Sequence, residues 1–387
     1  MNAIPVSSLV ANTFFDKPVY LDAGYILLTP DSPVTPELLK RLHRWKFLEV
    51  HTEGVRKNLG SAPAGSGSGA LAMQTIDEDI RESELAAAAR KFYVDFTAFT
   101  SGLFSRYASG GELYLVQVTN QVKTAMQVVH DSRDFLIRCL NMNAEGDESI
   151  ASHAVNSTIL ALAMADFLKL PSHRLIELGA ACLVHEIGLF KLPAELRHTS
   201  RPLGPEERKA LMAHTVLGYR ILKGFSAPEN IALAALEHHE RVDGSGFPRA
   251  LSTPKINDHA LIIGLACSYD ALVARRPLRA GVLEGHAAII ELAQKNRKQY
   301  DEKVLKALVY TLSLYPVGTA VQLSNGSRGI VVRTDPAKPR GPTVKAVRDA
   351  RGKKLEPPQL VQVSDTGGIS ITRVLGPEEM KDLKVAP

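Results

Sequence analysis

The sequence predicts a mainly α-helical protein flanked by a small α+β module at its N-terminal side and a small β-rich module at its C-terminal side. Three observations predict this division. Apolar residues recur mostly at helical spacing between residues 76 and 314. A Gly/Ser-rich segment at residues 60–69 precedes this stretch, and short apolar runs separated by turn residues follow it beyond Gly318.

The N-terminal module is predicted over residues 1–58. Short apolar runs at residues 4–9, 19–21 and 25–28 alternate with turn signals, and residues 47–50 predict a further strand. Between them, the segment beginning at Thr35 has a capping residue, a proline at the first helical position and apolar residues at helical spacing, which predicts a helix. Residues 59–70 have few side chains to bury and are predicted to form a flexible linker.

The central helical part is predicted in two pieces. Residues 71–144 are predicted to form a helical connecting region with two or three helices. A homodimer is expected only because these helices have an amphipathic pattern. Residues 145–316 form the second piece, in which prolines mark the places where helices start or stop. Helices are predicted there at residues 158–168, 175–187, 206–222 and 231–239.

The C-terminal module, residues 317–387, contains the net positive charge of the chain. Its 12 Lys and Arg residues exceed its seven Asp and Glu residues by five, which equals the net charge of +5 for all 387 residues. Strands are predicted at residues 320–323, 329–333 and 359–363, with a hairpin turn at Asn325-Gly326. Because aromatic residues for base stacking are not interleaved with the basic ones, a solvated basic face is favoured over nucleic-acid binding.

The cysteine count bears on the cellular compartment. Three Cys residues without a C-x-x-C pair disfavour a disulfide framework and a cysteine-rich zinc site, so a reducing cytoplasmic location is expected. The longest apolar stretches fall short of about 18 residues, so no membrane-spanning segment is expected. The 12 His residues are therefore the unusual part of the composition.

Two adjacent pairs of polar residues follow helical segments in the central region. The His185-Glu186 pair ends an apolar helix, where a carboxylate is costly to bury unless a cation is bound. The His238-His239 pair closes another helix before a Gly-rich turn. Imidazole and carboxylate groups suit Fe, Mn or Zn. The candidate metal ligands are His153, His185, Glu186, His214, His238, His239 and Asp270.

This set is large enough for two divalent ions that share a carboxylate. Two ions about 3.5–4 Å apart can activate water and stabilise charge on a phosphate oxygen, which is the arrangement used for phosphoester hydrolysis. The residue types therefore predict a metal-dependent phosphohydrolase.

The order of the motifs resembles that of the HD-GYP branch of the HD phosphohydrolases. The resemblance covers residues 145–316, and its most specific part is the stretch from His238 to Pro248. The matching pieces are His153, His185-Glu186-Ile187-Gly188, His214, His238-His239-Glu240-Arg241, Asp243-Gly244-Ser245-Gly246-Phe247-Pro248, Asp270 and Arg276-Pro277. It implies a helical HD-GYP-type bundle that hydrolyses cyclic di-GMP, or a related cyclic dinucleotide, to linear products in bacterial signalling.

The resemblance also implies roles for individual residues. One ion, Fe or Mn, is assigned to His153, His185, Glu186 and Asp270, and a second to Glu186, His214, His238 and His239. Glu186 is a predicted catalytic residue. Because Leu189 cannot donate a hydrogen bond, Lys191, Arg241 or water is expected to supply the additional stabilisation of charge, so Lys191 and Arg241 are also predicted catalytic residues. Arg241, Asp243 and Arg276 are the predicted contacts to substrate, with an ion pair that caps a helix as the alternative for Arg241 and Asp243.

Four positions depart from the family pattern. Glu186 replaces an Asp, Leu189 replaces a Lys that steadies substrate phosphate, and Phe247 replaces a Tyr. Ser149 stands where members with three metals have a Glu, so two ions are expected.

These departures keep two alternatives open. One is a catalytically weakened module that binds metal or nucleotide and signals through protein contacts made by the N-terminal module. The other is a phosphohydrolase that acts on a different nucleotide.

Overall fold

The computed structural model contains 13 α-helices and 11 β-strands within the part of the chain that it describes. The chain divides into two units, residues 1–80 and residues 81–387. The described residues are 2–11, 13–21, 26–28, 30, 34–44, 47–58, 67–140, 147–197, 201–274, 282–335, 337–364, 367–381 and 383.

The first unit contains the predicted α+β module. A four-stranded antiparallel sheet has the order β1-β5-β3-β4, and β2 pairs with β6. Val19, Leu42 and Val50 are fully buried in its core. The elements are β1 (Asn2–Pro5), β2 (Thr13–Phe15), β3 (Val19–Tyr20), β4 (Ile26–Leu28), α1 (Pro36–Arg44), β5 (Glu49–Thr52) and β6 (Arg56–Asn58).

The connecting region consists of two long helices, α2 (Gly67–Ala108) and α3 (Leu115–Cys139). Most of the predicted linker, residues 59–66, lies outside the described residues. Residues 67–70, also assigned to that linker, instead form the first turn of α2. The physical reason is that extending an existing helix gains a hydrogen bond per residue, whereas starting a helix is costly.

The second unit continues with a bundle of nine helices within the described residues. The single helix predicted at residues 206–222 is divided at Ala213, and this division places His214 at the start of a new helix. The helices are α4 (Asp147–Phe167), α5 (Ser172–Val184), α6 (Ala194–Arg197), α7 (Pro205–Met212), α8 (His214–Gly224), α9 (Glu229–Glu237), α10 (Asp258–Val273), α11 (Gly285–Ile290) and α12 (Glu302–Leu312).

Helix α4 lies at the centre of this bundle and packs against α3, α5, α10 and α12. Within it, Ser149–Phe167 has the length and composition that would allow a helix to cross a membrane, which the sequence analysis did not anticipate. However, 89% of that stretch is buried inside the domain. A helix that is apolar on all sides is expected in the core of a large helical domain, and the packing of α4 agrees with that reading.

The C-terminal module is an antiparallel sheet with the order β10-β9-β8-β7-β11, and Val321, Val331 and Val344 are buried in its core. The predicted turn is present, with Gly326 at a φ of 81°. Strands β9 and β11 were not predicted. The elements are β7 (Ala320–Leu323), β8 (Arg328–Arg333), β9 (Thr343–Arg348), β10 (Lys354–Gln362), β11 (Ile371–Val374) and α13 (Pro377–Lys381).

Hydrogen bonds connect this sheet to the helical part of the same unit. The Arg138 guanidinium on α3 donates to the carbonyl of Val332, and the backbone N–H of Thr334 donates to Asp134 at 3.3 Å. The prediction of a mainly helical protein with two small flanking modules is therefore confirmed.

The core between α2 and the bundle gives a test of stability. Phe104 is 1% exposed, and its ring lies 5.0 Å from that of Phe190. Phe104→Ala removes this contact and leaves a cavity, so we expect unfolding of the helical domain to need about 3–5 kcal/mol less free energy. Denaturant titration followed by circular dichroism measures the change.

Val94→Ala is the matched control, because Val94 lies on the same helix and is 48% exposed. We expect it to change the unfolding free energy by less than about 0.5 kcal/mol. Equal effects of the two substitutions would contradict the packing described for α2.

Candidate metal centre

The candidate ligands lie at the ends of helices that meet inside the bundle. His185 and Glu186 directly follow α5, His214 begins α8, and His238 and His239 follow α9. His153 lies within α4, and Cys267 and Asp270 lie on α10. Residues from five different helices therefore converge on one region of the core.

Gly188 allows two of these segments to approach closely. A Cβ atom at this position would collide with the backbone carbonyl of His214 and approach the backbone nitrogen of Gly218 to 2.6 Å. The short turn after Glu186 can therefore lie directly against the first turn of α8, which brings His214 next to Glu186.

One group of donor atoms is formed by Glu186, His214, His238 and His239, whose ligand atoms lie within 4.8 Å of one another. The His214 Nε2 atom is 3.5 Å from Glu186 Oε2 and 3.4 Å from His238 Nε2. These four residues are the set that the sequence analysis assigned to the second ion.

A second group is formed by His153, His185 and Cys267, again within 4.8 Å of one another. The Nε2 atoms of His153 and His185 each lie 3.6 Å from Glu186 Oε1. Since Oε2 of the same carboxylate faces the first group, Glu186 lies between the two groups, in the position predicted for a shared ligand.

Asp270 has a different environment from the one expected of a direct ligand. Its Oδ2 atom lies 2.6 Å from His153 Nδ1, and its Oδ1 atom accepts a hydrogen bond of 2.7 Å from Asn156. Asn156 in turn accepts a hydrogen bond from the Tyr93 hydroxyl. The carboxylate is therefore placed to orient the His153 ring.

Cys267 is the residue near this centre that the sequence analysis missed. Its sulfur lies 3.2 Å from His185 Nε2, and the side chain is buried. The spacing of Cys267 is the signal that could have found it, because Cys267 precedes Asp270 by three residues and so lies on the same face of α10. The number and spacing of the cysteines exclude a disulfide framework and a C-x-x-C site, but they do not exclude a single cysteine beside histidine ligands.

Backbone carbonyls set the tautomer of three histidines. The Nδ1 atoms of His185, His214 and His238 lie 2.5, 2.6 and 2.9 Å from the carbonyl oxygens three residues earlier in the chain. A carbonyl can only accept a hydrogen bond, so each Nδ1 carries the proton and donates it. The Nε2 lone pairs then face the cluster, which is the arrangement of metal-binding imidazoles.

The electrostatics of the cluster favour a cation. Burial lowers the pKa of His185 to about 4 and that of His238 well below its usual range, so both rings are neutral at neutral pH. Among the described residues, Glu186 Oε2 is buried without a hydrogen-bond partner. A buried carboxylate surrounded by imidazole lone pairs is unfavourable unless a positive ion lies between them, so the donor set fits a divalent metal.

A buried acidic residue holds the loop that follows His239. The Glu240 carboxylate accepts hydrogen bonds from the backbone N–H groups of Arg249 and Leu251, at 2.7 and 2.8 Å. Phe247 lies in this loop, and its ring stacks on His239 with 4.5 Å between centroids. The loop therefore forms one wall of the metal centre.

Arg241 and Asp243 make separate contacts beside the centre. The Arg241 guanidinium donates to the carbonyl of Glu240 at 2.9 Å and to the Ser268 hydroxyl at 3.1 Å. The Asp243 carboxylate accepts from the backbone N–H and the hydroxyl of Ser245. These contacts differ from the alternative of an ion pair that caps a helix. The Arg241 contact joins the loop to α10, and the Asp243 contacts lie within the loop.

The structure does not bring Lys191 to the ligand cluster. Its ammonium lies over the Tyr107 ring, 5.2 Å from the centroid. Ile187–Lys191 is a 3-10 turn, in which each residue advances by about 120°, so Lys191 points about 240° away from Leu189. Lys191 therefore does not replace a side chain at position 189. Arg276 lies outside the described residues.

Two family models match the chain. The first describes an HD domain and matches residues 136–304, which include all the ligand candidates described above. The second describes a KOW domain associated with HD domain and matches residues 320–383, the C-terminal sheet.

Three curated relatives have similar sequences. Cyclic di-GMP phosphodiesterase PdeB of Borreliella burgdorferi is 27% identical over 60% of this chain and 61% of its own length. Cyclic di-GMP phosphodiesterase PA4108 of Pseudomonas aeruginosa is 27% identical over 95% of this chain and 90% of its own length. A cyclic di-GMP phosphodiesterase of Thermotoga maritima is 33% identical over 48% of this chain and 52% of its own length.

The match therefore spans about three fifths of the first of these relatives, about half of the third and most of the second. The HD model and these relatives confirm the resemblance that the ordered histidine motifs indicated. Residues 136–304 therefore match the HD-domain family, and the chain is similar in sequence to curated cyclic di-GMP phosphodiesterases.

Proposed function

We propose that this chain is a metal-dependent phosphodiesterase that hydrolyses a cyclic dinucleotide, cyclic di-GMP, to linear products. The observation that carries the proposal is the pair of adjoining donor groups on either side of Glu186. The names of the three relatives supply the substrate class.

An HD domain with this His/Glu cluster binds divalent metal. We propose two ions, Fe or Mn, because the donors form two groups that share one carboxylate. Bound divalent ions supply Lewis acidity that stabilises charge on phosphoryl oxygens and activates water. Glu186, His214, His238 and His239 would hold one ion, and His153, His185 and Glu186 would contribute to the other.

The protein groups around the cluster orient the ligands before any substrate binds. Backbone carbonyls keep the Nε2 atoms of His185, His214 and His238 directed inward, and Asp270 does the same for His153. Pre-oriented groups need no reorganisation during the reaction. Phe247 covers His239 on the loop side. Contacts from Arg241, Asp243 and Arg276 to substrate, and a catalytic role for Lys191, stay predictions.

We place the reaction in the cytoplasm. The three cysteines are free and buried, as expected of a protein from a reducing compartment. The apolar helix α4 is accounted for by the core of the helical domain. Protein partners that bind the N-terminal module, and a homodimer, stay predictions.

The direct test is hydrolysis of cyclic di-GMP by the purified full chain, followed by chromatography of the products. We expect linear dinucleotide to form, to stop forming after chelation, and to form again when Mn²⁺ or Fe²⁺ is added back, because the ligand cluster needs a cation. Binding of cyclic di-GMP without turnover in the metal-loaded protein would favour the signalling module. Turnover of another nucleotide alone would contradict the substrate assignment.

His214→Ala tests the assignment of the ligand group. This change removes an Nε2 donor that lies near both Glu186 and His238. We expect turnover to fall by more than about 100-fold, because removing a group that only orients a ligand already lowers metal affinity or activity by about 10–100-fold. Steady-state kinetics and metal analysis measure the loss. His173→Ala, on the exposed first turn of α5, is the control and should keep activity within about twofold.

Glu240→Gln tests the support of the loop. The amide keeps the size of the side chain but can accept only one of the two backbone hydrogen bonds from Arg249 and Leu251. A hydrogen bond to a charged group contributes about 1.5–3 kcal/mol, so we expect the unfolding free energy to fall by about that amount when one of the two bonds is lost. Glu112→Gln, at an exposed position, should leave it unchanged. An unchanged stability for Glu240→Gln would exclude this bracing role.

A further inference from the structure

We propose that Cys267 is a thiolate ligand of the ion held by His153 and His185, so that this position favours thiophilic ions such as Zn²⁺, Co²⁺ or Fe²⁺ over Mn²⁺ and Mg²⁺. The inference deepens the proposed function and rests on it, since it names a further ligand within the same metal centre.

The distances around the second donor group match those of a tetrahedral site. Sulfur and nitrogen ligands lie about 2.3 and about 2.0 Å from a zinc ion, so a tetrahedral angle separates the two donors by about 3.5 Å. The Cys267 sulfur lies 3.2 Å from His185 Nε2. For nitrogen and oxygen ligands the corresponding separation is about 3.4 Å. The Nε2 atoms of His153 and His185 lie 3.6 Å from Glu186 Oε1.

The donors of His153, His185 and Cys267 lie within 4.8 Å of one another, and Glu186 Oε1 lies 3.6 Å from the Nε2 atoms of both histidines. The four residues therefore adjoin one position that an ion could occupy. Asp270 is less suited than Cys267 to be a ligand of this ion, because its two oxygens already contact His153 Nδ1 and Asn156. Cys267 lies one helical turn earlier on α10, and its sulfur lies beside the Nε2 atom of His185.

The Glu186 carboxylate, which the two donor groups share, is a second observation that points to a cation at this centre. Its Oε1 atom faces the group that contains Cys267, and its Oε2 atom faces the other group. The Glu186 side chain is about nine-tenths buried, and its Oε2 atom has no hydrogen-bond partner among the described residues. Cys267 and His185 are 5% and 0% exposed. A thiol hydrogen bond to His185 would satisfy one nitrogen, but it would leave the buried carboxylate uncompensated.

The chemistry of the ligand determines the metal class. Thiolate is a soft ligand that selects zinc and iron, whereas carboxylate and water suit Mn²⁺ and Mg²⁺. Burial raises the pKa of the Cys267 thiol well above its usual range, so the free side chain is protonated. On binding, the S–H bond is replaced by a sulfur–metal bond and the proton passes to solvent.

The test uses the purified full chain, stripped of metal and then loaded with Co²⁺ alone. We expect about two ions per chain and a near-ultraviolet absorption band from thiolate-to-cobalt charge transfer. Cys267→Ser should lose the band and retain about one ion, because the Glu186, His214, His238 and His239 group remains intact. Cys139→Ser is the matched control: its buried sulfur donates to the Phe135 carbonyl on α3, and both signals should persist.

A hard ligand at the same position gives a second comparison. Cys267→Asp should bind about two ions without the charge-transfer band, and competition between Mn²⁺ and Zn²⁺ should shift towards Mn²⁺. A band that persists in Cys267→Asp would overturn the proposal. X-ray absorption of the zinc-loaded wild-type chain needs no variant, and it should show sulfur at about 2.3 Å from the metal.

The outcomes separate this inference from the proposed function. Two bound ions with no sulfur ligand in the wild-type chain would overturn the role of Cys267 and leave the phosphodiesterase proposal intact. Binding of no Co²⁺ at all would overturn both. If Cys267→Ser does not fold, as judged by circular dichroism, the wild-type absorption spectrum decides alone.

Discussion

The helical domain is organised around one buried carboxylate, that of Glu186. Its two oxygens face different groups of donors, one formed with His153 and His185 and the other with His214. Burial lowers the pKa of His185 to about 4 and that of His238 well below its usual range, so these two imidazoles do not compensate the carboxylate as cations. A divalent ion on either side would satisfy both the carboxylate and the lone pairs, so this arrangement favours metal binding.

The rest of the domain supplies rigidity to that centre. Helix α4 is buried along most of its length and packs against α5 and α10, whose residues contribute ligands or their supports. Closely packed segments meet at small residues: a Cβ atom on Gly188 would collide with His214, and one on Gly264 would lie 2.5 Å from the His238 carbonyl. Backbone carbonyls then fix the ring orientations, so the direction of the imidazole lone pairs depends on main-chain positions.

Local patterns predicted most of the elements but not all of their boundaries. The helix signal at residues 206–222 was continuous, whereas the chain turns at Ala213 so that His214 can enter the core. Strands β9 and β11 were missed, although β9 has alternating buried residues, because charged side chains interrupt its apolar pattern. Both errors occur where contacts with other segments outweigh local preference.

The sequence by itself determined the helical class, the two flanking modules, the family resemblance and the chemical types of the candidate ligands, because these depend on residue order and local periodicity. Only the tertiary structure decided which side chains meet. It turned Asp270 towards His153 and Asn156, placed Cys267 beside His185, and directed Lys191 to the Tyr107 ring. The physical reason is that spacing along one helix specifies a face, whereas a ligand sphere is formed between helices that are distant in the chain.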